Sequence, residues 1–169
     1  MDKIDEILLH LYDSIDYGFS HRAKEMFFIS DLFDHQKKEF ANLTRQKLIT
    51  KNKNRDGSVS FSLTEKGKLR ALNISFRNFS NKKEKWDGKW RMVAFDIPNK
   101  FKKSRDAIRY RMKLGAFYKL QDSLFLCPYD CKKEIMALVE LYKLQKYVSF
   151  GVLEEIGNNE EIKKKFELE

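Results

Sequence analysis

A chain of 169 residues with 42% hydrophobic and 14% aromatic content has enough apolar side chain for a packed core, and 35% charged residues give it a solvated surface, which argues against disorder. No apolar run approaches the ~20 residues that a membrane helix needs. The opening MDKIDEILLH carries acids where a secretory leader needs a basic start, so the expectation is a cytoplasmic protein without a membrane partner.

The net charge of +9 points to a polyanionic partner, and its distribution is uneven. Lys and Arg outnumber Asp and Glu by 14 to 4 over residues 35–85, against 3 to 8 over residues 1–34 and 17 to 13 over residues 86–169.

Ile4, Ile7, Leu8, Leu11, Tyr12 and Ile15 recur at spacings of three and four and predict a first helix. Asp16, Gly18 and Ser20 interrupt it, after which Ala23, Met26, Phe27 and Leu32 predict the buried face of a second. Asp34 is placed to cap a third helix over HQKKEFANLTRQKLI, with Phe40, Leu43 and Leu48 inward. Gln36, Lys37, Lys38, Asn42, Arg45 and Gln46 then face out. Amides bond base edges and cations bond phosphates or guanine, the side-chain mixture of a helix laid in the major groove.

A short strand near Ile49–Lys53, the turn Asn54-Arg55-Asp56-Gly57 and a strand Ser58–Leu63 follow; Asp-Gly suits a tight hairpin. Lys51, Lys53 and Arg55 lie near its tip. Thr64 caps a further helix through about Leu72, within the exit sequence LTEKGK. Three helices, a basic hairpin and another helix read as a winged helix-turn-helix that binds double-stranded DNA, with residues 35–55 as the contact region.

Residues 73–89 lose periodicity and gather Asn, Ser and Lys, so domains are expected at 1–75 and 89–169 with a linker over 76–88. Trp90–Ile97 reads as a buried strand stopped by Pro98. A helix follows with Phe101, Ala107, Ile108, Met112 and Leu114 toward the sheet and Gly115 as its stop. Phe117–Leu126 gives one long or two short strands, and Asp130 caps a helix holding Ile135, Leu138, Val139 and Leu141. Tyr147–Leu153 is the last strand, and a short helix is expected around Glu160–Phe166. The β-α-β-β-α-β order predicts an α+β chain ending in a ferredoxin-like domain, with both helices on one sheet face and the other face open to a partner.

The segment WDGKWRMVAFDIPNKFKKSRDAIRYRMKLGAFYKLQDSLFLCPYD resembles the central domain of the PaaX family, repressors of phenylacetate catabolism. That domain is similar to the small CRISPR-associated adaptation endonuclease, whose first strand also ends in an aspartate before a basic helix, here FDIP with Asp96. The resemblance implies a homodimeric, DNA-binding repressor with a winged helix in front of a dimerising ferredoxin-like domain. Family members continue into a further C-terminal domain, whereas this sequence stops soon after Ile156, so no effector is assigned.

In the endonucleases the matching aspartate is proposed to hold a divalent metal between two subunits, which makes an Mg2+- or Mn2+-dependent nuclease acting through Asp96 the alternative function. Asp122 and Asp130 are nearby candidate ligands. The favoured reading has no catalytic residue and no cofactor, with Asp96 capping the turn after its strand or pairing with Arg105. His10, His21 and His35 are scattered without metal-ligand spacing. Cys127 and Cys131, in CPYDC, read as reduced thiols, with an exposed redox role as the alternative. Trp86, Trp90 and Phe95 read as packing residues, with a stacking platform for single strands as theirs.

Overall fold

The computed structural model describes residues 2–14, 36–57, 59–79, 85–157 and 159–168. The chain divides into two compact units, Met1–Ser75 and Phe76–Glu169.

In the first unit, α1 (Lys3–Asp13) starts where Asp2 accepts the Asp5 N–H at 2.7 Å, and it buries Ile7, Leu8, Leu11 and Tyr12. The expected second helix, the Asp34 cap, His21 and His35 lie outside the described residues. Next comes α2 (Lys37–Arg45), with Phe40 and Leu43 buried. The expected helix ran through Leu48, but it closes earlier because Lys47 takes a left-handed φ of 57°. The Leu48 N–H then reaches back to the Leu43 carbonyl at 2.9 Å, which turns the chain out of the helix.

Ile49 opens β1 (Ile49–Lys53), which pairs antiparallel with β2 (Val59–Leu63) in the register Ile49↔Leu63, Lys51↔Phe61, Lys53↔Val59. Gly57, at φ 85°, donates to the Asn54 carbonyl at 3.1 Å and tightens the turn. Thr64 holds the hairpin's base: its hydroxyl donates to the Lys47 carbonyl at 2.7 Å and accepts the Gly67 N–H at 3.0 Å. Gly67 is required there, because a Cβ would sit on the Leu48 carbonyl oxygen. Phe40 and Phe61, 4.6 Å apart, lie at the centre of this small core.

From Thr64 the chain enters α3 (Glu65–Phe79), which runs seven residues beyond the expected stop at Leu72. Its extra turns bury Ile74, Phe76 and Phe79, so the stretch first expected to begin a linker is an apolar helix end. Phe76 and Phe79 belong with the second unit, 6.2 and 6.4 Å from the Phe117 ring.

The second unit places β3 (Trp90–Phe95), α4 (Lys102–Leu114), β4 (Tyr118–Gln121), β5 (Leu124–Cys127), α5 (Lys132–Leu141), β6 (Val148–Leu153) and α6 (Asn159–Phe166) in that order. The sheet runs β4-β5-β3-β6 with every neighbouring pair antiparallel, the ferredoxin-like arrangement. The left-handed residue ending α4 is Ala116, at φ 55°, rather than Gly115. A Cβ on Gly115 would come within 3.1 Å of the Phe117 and Phe76 rings, so its bareness serves packing. Phe101, expected inward, is exposed beside the Tyr147 ring.

Alternation along β3 gives the sheet two faces. Val93 and Phe95 share the helix face, where Arg109 of α4 lies over the Phe95 ring. Trp90, Met92 and Ala94 share the other. That second face is not wholly open to a partner, as the strand and helix order suggested. Ile162 and Phe166 of α6, with Leu168, pack on Trp90 and Leu126 and cover one end of it.

Candidate nucleic-acid interface

Lys38, Asn42 and Arg45 follow one another at i, i+4 and i+7 and form a single stripe on α2. Lys37, Lys38 and Arg45 are exposed, and Asn42 is half-buried. Gln36 and Gln46 depart from the expected outward set. Gln36 is half-buried at the helix start, makes no cap bond, and turns its Oε1 inward. Gln46 is engaged within the fold: its Nε2 donates to Asn42 Oδ1 at 3.0 Å and its Oε1 accepts from Arg70 at 3.2 Å.

Arg70 is the residue that sequence patterning missed. It also donates to Asp5 Oδ1 at 2.8 Å, so one guanidinium braces α1, the end of α2 and α3. No sequence spacing signals this, because 65 positions separate Arg70 from Asp5.

The hairpin has two distinct faces. Lys51 and Lys53 share a side with Ile49, Phe61 and Leu63, and their exposed side chains extend beyond the buried end of that face. The opposite face is neutral and polar, with Thr50 and Ser62 hydroxyls 2.6 Å apart and Asn52 beside them. Arg55 is exposed at the turn. The first unit thus presents Lys37, Lys38 and Arg45 from a helix and Lys51, Lys53 and Arg55 from a hairpin, a cationic surface carried on regular elements.

In the second unit, Arg91 grips Asp87 with two bonds of 2.7 Å and also donates to the Lys89 and Pro128 carbonyls at 2.9 and 3.0 Å. The bidentate guanidinium pulls the Asp87 carboxyl down to about 2. Cys127 and Cys131 are buried thiols outside any disulfide, which rules out the exposed redox role. A hydrogen bond with Cys127, together with burial, pushes the Cys131 thiol well above its ordinary range. Trp90 is fully buried with Trp86 4.9 Å away, and Phe95 is buried against Phe125, so these rings form no stacking platform.

Asp96 is exposed just past β3, its backbone N–H bonded to the Tyr147 carbonyl at 2.9 Å. Arg105, its expected partner, donates instead to the Ile97 carbonyl and to Asn99 Oδ1, each at 3.1 Å. Asp122 pairs with Lys119 at 2.6 Å, and Asp130 accepts the Lys132 N–H at 3.1 Å. Among the described residues no three His, Cys, Asp or Glu side chains gather as a metal site, and no helix is long and apolar enough to cross a membrane.

Strand order and helix placement make the second unit a ferredoxin-like domain of the Cas2-like kind. Residues 83–164 match the family model of the PaaX protein central Cas2-like domain, and the chain carries this domain of the PaaX family. No curated protein and no solved structure matches the chain.

Proposed function

We propose that the chain is a DNA-binding transcriptional regulator of the PaaX type, a homodimeric repressor whose first unit is a winged helix-turn-helix. On this reading α2 lies in the major groove, with Lys37, Lys38, Asn42 and Arg45 toward the DNA, and the β1–β2 hairpin is the wing, with Lys51, Lys53 and Arg55 on phosphates. The observation that carries the reading is the coincidence of a PaaX central domain with a preceding helix-hairpin-helix unit whose exposed side chains at these positions are basic. Two copies paired through their ferredoxin-like domains would set the separation of two half-sites.

Selection of bound fragments from a random double-stranded DNA pool, read with the solution mass, tests this. A two-fold symmetric motif and a dimeric mass are expected, with affinity falling steeply between about 50 and 200 mM salt. Recovery of no motif, or affinity that ignores salt, overturns it. Cleavage of the selected DNA with Mg2+ or Mn2+ that disappears in Asp96→Asn would replace the regulator by a nuclease.

A further inference from the structure

The end of the outer sheet face that α6 leaves uncovered holds a cleft of about 450 Å³. This lies within the range of small-molecule sites, roughly 300–1,000 Å³. Its floor is apolar, from Ala94 and Leu124, and Gln121 and Ser149 bring neutral hydrogen-bonding groups to it. Ala94 pairs in register with both Leu124 and Ser149, so these three stand on one face of three adjacent strands.

Phe95, Ser123 and Tyr147 also line it, together with two opposite charges, Asp96 and Lys146. The two charges do not pair with each other, and neither side chain has a hydrogen-bond or ion-pair partner among the described residues. Their backbones are nonetheless tied together. The Asp96 N–H donates to the Tyr147 carbonyl at 2.9 Å, and the Tyr147 N–H donates to the Leu144 carbonyl at 2.9 Å. The two residues are therefore carried on adjoining, hydrogen-bonded backbone.

A phosphate or another simple anion would satisfy Lys146 and be repelled by Asp96, and a simple cation would meet the reverse. A ligand carrying both charges satisfies both, each through a charge-assisted hydrogen bond. We infer that this cleft binds a small zwitterion of the α-amino-acid class, its ammonium on Asp96, its carboxylate on Lys146 and its side chain over Ala94 and Leu124.

The test titrates the full chain, without DNA, with each of the twenty L-amino acids, first by thermal shift and then by calorimetry. At least one amino acid with a small or apolar side chain is expected to raise the melting temperature. Its decarboxylated amine and its deaminated acid should each bind at least about tenfold more weakly, the reduction expected when a charged hydrogen bond goes. Asp96→Asn and Lys146→Gln should weaken the amino acid similarly while keeping the ligand-free melting temperature. Should Asp96→Asn fail to fold, Lys146→Gln and the two analogues still decide.

Absence of binding by all twenty amino acids overturns the inference. So does binding that is unchanged in Lys146→Gln, or an amine, inorganic phosphate or Mg2+ that binds as well as the amino acid. Because no DNA is present, failure here leaves the regulator reading untouched, and failure of DNA selection leaves this one untouched.

Discussion

Asp87 and Arg91 show how a single pair acts beyond its own contact, since the guanidinium that grips the carboxylate also holds the Lys89 carbonyl just before β3 and the Pro128 carbonyl just after β5. Asp87 has a folded pKa of about 2 against an ordinary 3.8, so its contribution is complete above pH ~4 and lost as pH falls toward 2. Its side chain is 49% exposed, which keeps the gain on the order of 1 kcal/mol. Asp87→Asn should therefore be less stable than wild type in urea at pH 7, with the gap closing between pH 4 and 2. A gap that stays constant with pH would contradict this account. The buried thiols give a second check at this scale: Cys127 and Cys131 should react with a thiol reagent only as fast as the chain unfolds. The sequence reads both cysteines as reduced thiols, but neither their burial nor the grip of Arg91 on Asp87 was visible in it, because CPYDC gives a spacing and no depth.

At the scale of elements, the helices and strands with one apolar face were legible. Ile7, Leu8 and Leu11 on α1, Phe40 and Leu43 on α2, and Phe61 and Leu63 on β2 are all buried where their period put them. The hairpin followed from Asp56-Gly57 between apolar alternations, and the two short strands after α4 stood as one of two options. What escaped depended on distant partners. The last turns of α3 look like a polar linker in sequence until Phe117 supplies something for Phe76 and Phe79 to pack on. The early end of α2 rests on Lys47 in a conformation that no pattern announces.

Two expected outcomes belong to this scale. Gly67→Ala drives a methyl onto the Leu48 carbonyl, and should cost at least about 2 kcal/mol in urea unfolding. On the proposed reading, replacing Lys51, Lys53 and Arg55 together by Gln should lower DNA affinity and flatten its logarithmic salt dependence by about 2–3, near 0.9 for each phosphate left without its cation. An unchanged slope would remove the hairpin from the interface.

At the scale of the whole molecule, the ferredoxin-like order was readable from alternating strand and helix signals and from the FDIP segment. The occupation of its second face was not. A charged tail with Ile162 and Phe166 four apart reads as a solvated helix, and only the fold brings Trp90 beneath it. Ile162→Ala should cost roughly 2–4 kcal/mol and shift tryptophan emission to the red as water reaches Trp90 and Trp86. Full stability in that variant would mean that α6 does not stay docked.

The brace at Arg70 has one more consequence. Arginine only donates, so Arg70 fixes which end of the Gln46 amide is oxygen, and Gln46 in turn presents its nitrogen to Asn42. Arg45 donates to the same Asn42 oxygen at 3.0 Å, which leaves the Asn42 Nδ2 hydrogens as the groups that residue can turn outward. The relay runs one way and ends in hydrogens. Together with Lys37, Lys38 and Arg45, α2 then offers donors alone along its stripe. On the proposed reading, a groove edge rich in acceptors, such as the N7 and O6 of consecutive guanines, would match it, and the amino groups of adenine and cytosine would find no acceptor at these four positions.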